Sequence, residues 1–212
     1  MYWLSSYTTM NSLKRLLAVA ALPAVALFLT GCLPVSLHPA YLAKDIVERG
    51  ALAGAWVAQG SDPDTWTFAP LKAADHHIAT GRTVYHLAIL DQDGPADFTA
   101  VPFYFGGRDW LNLTPQRKTL DDAALGTLYK IALTPGHLVC QWGTNSQGLV
   151  LKFMDGEWLG KQIERDPKFV AHVKGDESLV LTGTTRQLQE FLKREKDNTN
   201  AFKAVIELHR KP

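Results

Sequence analysis

Cysteine is scarce in this chain: Cys32 and Cys140 are its only two among 212 residues. A disulfide framework is therefore excluded. An excess of one charge is lacking too, since 22 basic and 21 acidic residues leave a formal net charge of +1. That argues against a general nucleic-acid binder, because affinity for phosphate backbones needs a basic surface. The composition, 46% hydrophobic and 20% charged, is that of a globular domain rather than a disordered or coiled-coil chain. Catalytic signatures are missing as well. The chain has no G-x-S-x-G, C-x-x-C, H-E-x-x-H or phosphate-binding loop. No enzyme is expected, no catalytic residue is assigned, and neither a metal nor a cofactor is foreseen.

What is present begins with an address. Lys14 and Arg15 precede the uncharged run Leu16–Leu29, and small residues follow it. Positive start, apolar middle and small residues are the order of a secretory signal. The run falls short of the roughly 20 apolar residues that span a bilayer, and Pro23 interrupts it. The nine residues before Met10 carry no charge, so Met10 is the expected start.

Leu29-Thr30-Gly31-Cys32 closes that segment. It resembles the lipobox of bacterial lipoproteins: an aliphatic residue, two small residues, then cysteine. The resemblance implies cleavage between Gly31 and Cys32, a diacylglycerol thioether on Cys32 and an acyl chain on its new amine. With roughly 0.8 kcal/mol per buried methylene, such chains hold a protein on a bilayer almost permanently. Leu33 rather than Asp follows the cysteine; by analogy with enteric bacteria this favours the outer membrane, facing the periplasm. The expected organisation is a signal peptide over 1–31, a lipidated N-terminus and tether over 32–50 whose stretch Leu42–Val47 can pack on the body, and one β-rich domain over 51–212. Cleavage removes Lys14 and Arg15 and takes the net charge from +1 to −1.

The body reads as short strands in succession. Leu52–Gln59 and Thr65–Ala69 flank a turn-rich link, and Thr83–Leu90 and Phe98–Phe105 flank Asp91-Gln92-Asp93-Gly94-Pro95, both hairpin signals. Trp66 and Phe68 alternate with Thr65 and Thr67, as in a half-buried strand. Pro102 predicts a bulge or an edge position. Further strands are expected at Trp110–Leu113, Thr127–Leu133, His137–Trp142, Leu149–Phe153, Phe169–Val173, Leu179–Leu181 and Ala204–Leu208. Asp155–Arg165 is ambiguous. Thr185–Lys196 is a helix, with Leu188, Phe191 and Leu192 on a narrow apolar stripe that packs against the outside of something. The fold class is mainly β: an antiparallel meander closed as a barrel or sandwich, with one C-terminal helix before a last strand.

Gly54-Ala55-Trp56 matches the G-x-W that opens the first strand of lipocalins. With Thr65-Trp66-Thr67-Phe68 and the T-x-x-L-x-x-F-L helix from Thr185 to Leu192, the chain resembles uncharacterised bacterial lipoproteins with a lipocalin-like body. The resemblance implies a barrel more than it implies an activity, and the T-D-Y signature of lipocalins is absent.

Other candidate chemistry is thin. Cys140, in a strand-like run, is expected to be a buried, inert thiol. His76 and His77 point to opposite faces if on a strand, and His77 and His86 are read as solvated or capping rather than as ligands. Asp62, Asp64, Asp91 and Asp93 lie where turns favour aspartate, and Asp121-Asp122 reads as a helix start. The aromatic set Trp56, Trp66, Tyr85, Phe103, Phe105, Trp110 and Trp142 is more suggestive: it either fills the core or lines a cavity for a small apolar ligand. The expected function is non-catalytic. It is a lipid-anchored envelope protein acting through protein contacts or as an accessory factor. The alternative is a lipocalin-like carrier of a small apolar ligand or lipid. Its partners are then the membrane, held through the anchor, and an envelope protein or that ligand.

Overall fold

A computed structural model describes residues 33–58, 64–71, 82–91, 94–116, 136–175 and 179–211. The chain divides into two units, Met1–Thr30 and Gly31–Pro212, and every described residue belongs to the second. The expected strand over Thr127–Leu133, the aspartates Asp62, Asp93, Asp121 and Asp122, and His76 and His77 lie outside the described residues.

Eight antiparallel strands form a closed barrel. They are β2 (Gly54–Ala58), β3 (Thr65–Leu71), β4 (Val84–Asp91), β5 (Gly94–Phe105), β6 (Arg108–Pro115), β7 (Leu138–Thr144), β8 (Leu149–Phe153) and β11 (Ala204–Arg210). The meander runs β2 to β8 in sequence, and β11 closes the ring between β8 and β2. At the seam Leu208 pairs with Ala58 and Arg210 with Trp56. A barrel, not a sandwich, is thus the form of closure, and it leaves the ring without an unpaired edge.

Alternation sets the two faces of each strand. Trp56, Trp66, Phe68, Tyr85, Leu87, Leu111, Leu113, Leu151 and Leu208 belong to one buried cluster inside the ring. Their outward neighbours on β3 and β4, such as Thr67 and His86, are only half-buried. Each fully buried side chain of this size contributes roughly 1.5–3 kcal/mol. Pro102 breaks no ladder. Pairing of β5 with β4 ends at Ala100–Tyr85, so the side on which proline lacks an N–H is a local edge. There the Val47 N–H donates to the Pro102 carbonyl, and Ile46 bridges Phe103.

Between β8 and β11 the chain leaves the ring. The ambiguous segment resolves as helix α1 (Gly156–Arg165), capped by the Asp155 carboxylate accepting from the Trp158 N–H. Strands β9 (His172–Lys174) and β10 (Leu179–Leu181) follow, then helix α2 (Thr185–Glu195). Thr184 caps α2, with Gln187 completing a reciprocal capping box. Leu188, Phe191 and Leu192 join a second cluster with Phe103, Trp110, Leu159 and Phe202 on the outer face of the barrel, so the stripe does pack against an outside surface. Among the described residues no helix is long and apolar enough to cross a membrane.

The segment expected as a tether is packed from Leu33 onward. Val35–Ser36 forms strand β1, parallel to β10 and making a three-stranded sheet with β10 and β9. Ala40 is 1% and Ile46 0% exposed. The Ala40 N–H donates to Asn112 Oδ1 at 3.2 Å, and Gln189 Nε2 donates to the Ala40 carbonyl and to Asp45 Oδ2 at 3.1 and 2.7 Å. Arg49 then pairs with Asp109 at 2.8 Å near the β5–β6 turn, and Leu52 enters the inner cluster fully buried. Residues 33–53 are therefore a strap over the barrel, held by groups that no local sequence pattern announces.

Candidate functional site

The barrel interior is the place where the predicted aromatic residues can be tested for convergence. Four of the seven meet there. Trp56, Trp66 and Tyr85 are buried in the inner cluster, and Trp142 packs against it half-buried. Phe103, Phe105 and Trp110 do not join them. They stand on the outer side of β5 and β6, beneath the helices, where Phe103 stacks on Trp110 with centroids 6.3 Å apart. Both faces of these strands are apolar because the inserted helices cover the outer one, so alternation alone could not say which face is interior.

The polar atoms of the four inner aromatics divide into two kinds. Trp56 Nε1 donates to the Leu52 carbonyl at 2.9 Å, and the Tyr85 hydroxyl donates to the Arg49 carbonyl at 2.9 Å. Both tie the ring to the end of the strap. Burial, and then Glu48, push the Tyr85 phenol above its ordinary pKa, which keeps it a donor. Among the described residues, Trp66 Nε1 and Trp142 Nε1 are buried with no acceptor. They rise from β3 and β7, four strands apart either way around a ring of eight, hence from opposite walls. A buried N–H without an acceptor costs about 1–3 kcal/mol, so these two donors stand out in the described part of the inner cluster.

Arg210 was not singled out by its sequence context, yet its guanidinium lies 4.7 Å from the centroid of the Trp56 ring. Gly54 makes room for it. A Cβ there would stand 2.5 Å from Arg210 Nη1, and Gly54 has φ +122°, which favours glycine. The G-x-W spacing was legible; the arginine that packs on it from the last strand was not, since only closure of the ring brings them together.

Cys140 sits in β7, pointing inward and 0% exposed, and burial raises its thiol pKa far above the usual range. It is a neutral packing group, as expected of an inert thiol. His77 lies outside the described residues, and His86 Nε2 lies 2.6 Å from Asp97 Oδ1 on the outer face of the β4–β5 pair. Asp91 serves its turn, accepting from the Gly94 N–H at 3.0 Å. Among the described residues no three His, Cys, Asp or Glu side chains are grouped to hold a metal ion.

A polar network missed in the sequence lies under the strap. Asn112, 0% exposed, donates through Nδ2 to Thr114 Oγ1 at 3.2 Å and to His137 Nδ1 at 3.1 Å, and Thr114 Oγ1 lies 2.8 Å from the same nitrogen. Burial, and then His38, lower the His137 pKa. The network ties the strap to the barrel wall: Asn112 Oδ1 accepts from the Ala40 N–H, and Ser36 Oγ donates to the His38 carbonyl.

Cys32 and Gly31, the lipidation and cleavage residues, lie outside the described residues, which begin at the next position, Leu33. No family model matches the chain, and neither the curated proteins nor the solved structures compared with it give a match.

Proposed function

We propose that this is a lipid-anchored protein of a bacterial envelope. It is held by acyl chains on Cys32, faces the periplasm from the outer membrane, and works without catalysis through contacts made by its surface. The supporting sequence feature is the run Leu29-Thr30-Gly31-Cys32 behind a positive start and an apolar stretch. That run carries the reading; the strap is compatible with it, since packing begins at Leu33, one residue after Cys32, and the body would then sit close to its anchor. The test is expression of the full chain in a bacterium that lipidates its own proteins. Intact mass should show cleavage before Cys32 and added acyl chains, and Cys32→Ala should move the protein from membranes to the soluble fraction. Continued tight association of that variant would sink the reading.

A second reading has its own observation. The paired donors Trp66 Nε1 and Trp142 Nε1 favour a carrier of a small, largely apolar molecule with a hydrogen-bond acceptor. A closed eight-stranded ring is also the architecture of lipocalins, which the G-x-W at Gly54-Ala55-Trp56 resembles. Native mass spectrometry of the purified protein, with organic extraction, checks it. A near-stoichiometric apolar compound supports the carrier, and a clean protein mass supports a filled core and a surface partner.

A further inference from the structure

The first part of the strap is fastened to the barrel at two places that share one residue, His137. Ser36 and His137 exchange a pair of backbone hydrogen bonds: the Ser36 N–H donates to the His137 carbonyl at 2.9 Å, and the His137 N–H to the Ser36 carbonyl at 2.8 Å. Further along, the Ala40 N–H donates to Asn112 Oδ1, and the other end of that amide, Nδ2, lies 3.1 Å from His137 Nδ1. Asn112 thus stands between strap and imidazole, its acceptor turned to the strap and its donor to the ring. It is fully buried, so neither end can trade its partner for bulk water.

This arrangement is sensitive to one proton. An unprotonated Nδ1 accepts from Asn112 Nδ2. An imidazolium carries a hydrogen on both ring nitrogens, so donor would then face donor. Thr114 Oγ1, 2.8 Å away, can accept the new hydrogen, but Asn112 Nδ2 stays opposed to it. Turning the amide over gives the ring an acceptor and sets Nδ2 against the Ala40 N–H, so the strap loses its bond instead.

Nothing around the ring offsets a positive charge there. Among the described residues, Asn112 and Thr114 on β6 are uncharged. The residues of β7, β10 and α2 that line a small cavity with His137 are apolar: Val139, Leu181, Leu188, Phe191 and Leu192. The titratable group that the strap brings to it is His38. Burial, and then His38, hold the His137 pKa below its ordinary value, the direction required of a site closed around the neutral ring. The rest of the strap is held without His137: Gln189 donates to the Ala40 carbonyl and to Asp45, and Arg49 pairs with Asp109.

We infer that Asn112 is a proton-controlled latch: charging His137 turns the amide's acceptor away from Ala40, loosens the strap there and opens the cavity beneath it, while the barrel stays closed. Ser36 and Ala40 roof that cavity, and Leu181, Leu188 and Leu192 are among its walls. The acid form therefore presents apolar surface that the neutral form covers. The latch stands independently of both functional readings above.

The experiment uses the full chain, labelled with nitrogen-15 and purified in detergent. The nitrogen shift of His137 Nδ1 follows its protonation from about pH 7.5 to 5. Amide exchange on the same samples is expressed as protection relative to the unstructured rate at each pH. The Ala40 amide should lose about tenfold of its protection or more as Nδ1 gains its proton, with one midpoint for both. The amides of Leu111 and Leu151, in barrel strands, should keep theirs. His38→Gln should raise the shared midpoint, and Asn112→Ala should leave the Ala40 amide unprotected throughout. Protonation of Nδ1 with no change at Ala40 overturns the inference, as does a ring that stays neutral over the whole range. Equal loss at Ala40, Leu111 and Leu151 overturns it too, since the proton would then open the body and not a latch. The decisive readings come from the parent protein and so hold even if Asn112→Ala fails to fold.

Discussion

Arg210, in the last strand, lies over the indole of Trp56, in the first strand of the ring, and the two are register partners at the seam. The contact joins the ends of the barrel sequence. Arg210→Ala should lower stability by about 0.5–1 kcal/mol, the range for an exposed cation–π pair. Gly54→Ala should cost more, roughly 1–3 kcal/mol, because alanine at φ +122° is strained in addition to meeting the guanidinium. The double variant should recover part of the steric cost and none of the backbone cost. Urea unfolding of the four proteins reads the coupling, and strict additivity would deny the contact.

Protonation of His137 should destabilise the fold. Its Nδ1 faces Thr114 Oγ1 and Asn112 Nδ2, an arrangement in which the ring nitrogen accepts, and burial followed by His38 lowers its pKa. The folded state therefore prefers the neutral ring. Stability is fully present above the unfolded value, near 6.5, and declines as pH falls from there through the lowered folded value. Melting temperature should drop between pH 7 and 5, and His137→Gln should flatten that part of the profile. An unchanged slope in the variant would assign the loss to other groups.

Gln189 should hold the strap. It is 4% exposed, and its amide reaches both the Ala40 carbonyl and Asp45. Gln189→Ala should cost about 1–3 kcal/mol, the range for leaving a buried acceptor unpaired. Hydrogen exchange over residues 38–48 should quicken more than over the barrel strands. Uniform acceleration everywhere would mean that the strap and barrel open as one unit.

The tryptophans of the ring should respond unequally to phenylalanine. Trp56→Phe removes an indole N–H that is satisfied and strands the Leu52 carbonyl. Trp66→Phe and Trp142→Phe remove N–H groups that have no acceptor, relieving about 1–3 kcal/mol of desolvation cost against the lost packing. Denaturant midpoints should rank the Trp56 variant lowest. If the Trp66 and Trp142 variants also lose a co-purifying compound, the carrier reading gains its ligand-binding residues.

The barrel was legible because its strands announce themselves twice, by alternation and by turn chemistry. Trp66 and Phe68 share the inner face as their spacing requires, and the Gly94 turn joins two strands where Asp91 and Gly94 stand in the sequence. Helix α2 was legible from its stripe, Leu188, Phe191 and Leu192. The strap was not. Its residues have no period, and its fixed points are Asn112 and Gln189, far along the chain. Phe103 and Trp110 misled for a related reason. An aromatic strand residue signals burial, but the side on which it is buried depended on helices that begin only at Gly156 and Thr185. The pair at Trp66 and Trp142 could not be read at all, because a missing acceptor is visible only once the neighbours are in place.

The seam between β11 and β2 sets an order on the birth of this molecule. Leu208 must find Ala58, and Arg210 must find Trp56, before the ring exists. A chain emerging N-terminus first cannot complete that ring until its final strand is free. Until then β2 and β8 each keep a row of unpaired backbone groups, a template for any other strand that arrives first. Pairing over so long a separation is also slow. Loss of the last eight residues would thus remove both neighbours' partner at once, turning a closed ring into a curled sheet with two sticky borders.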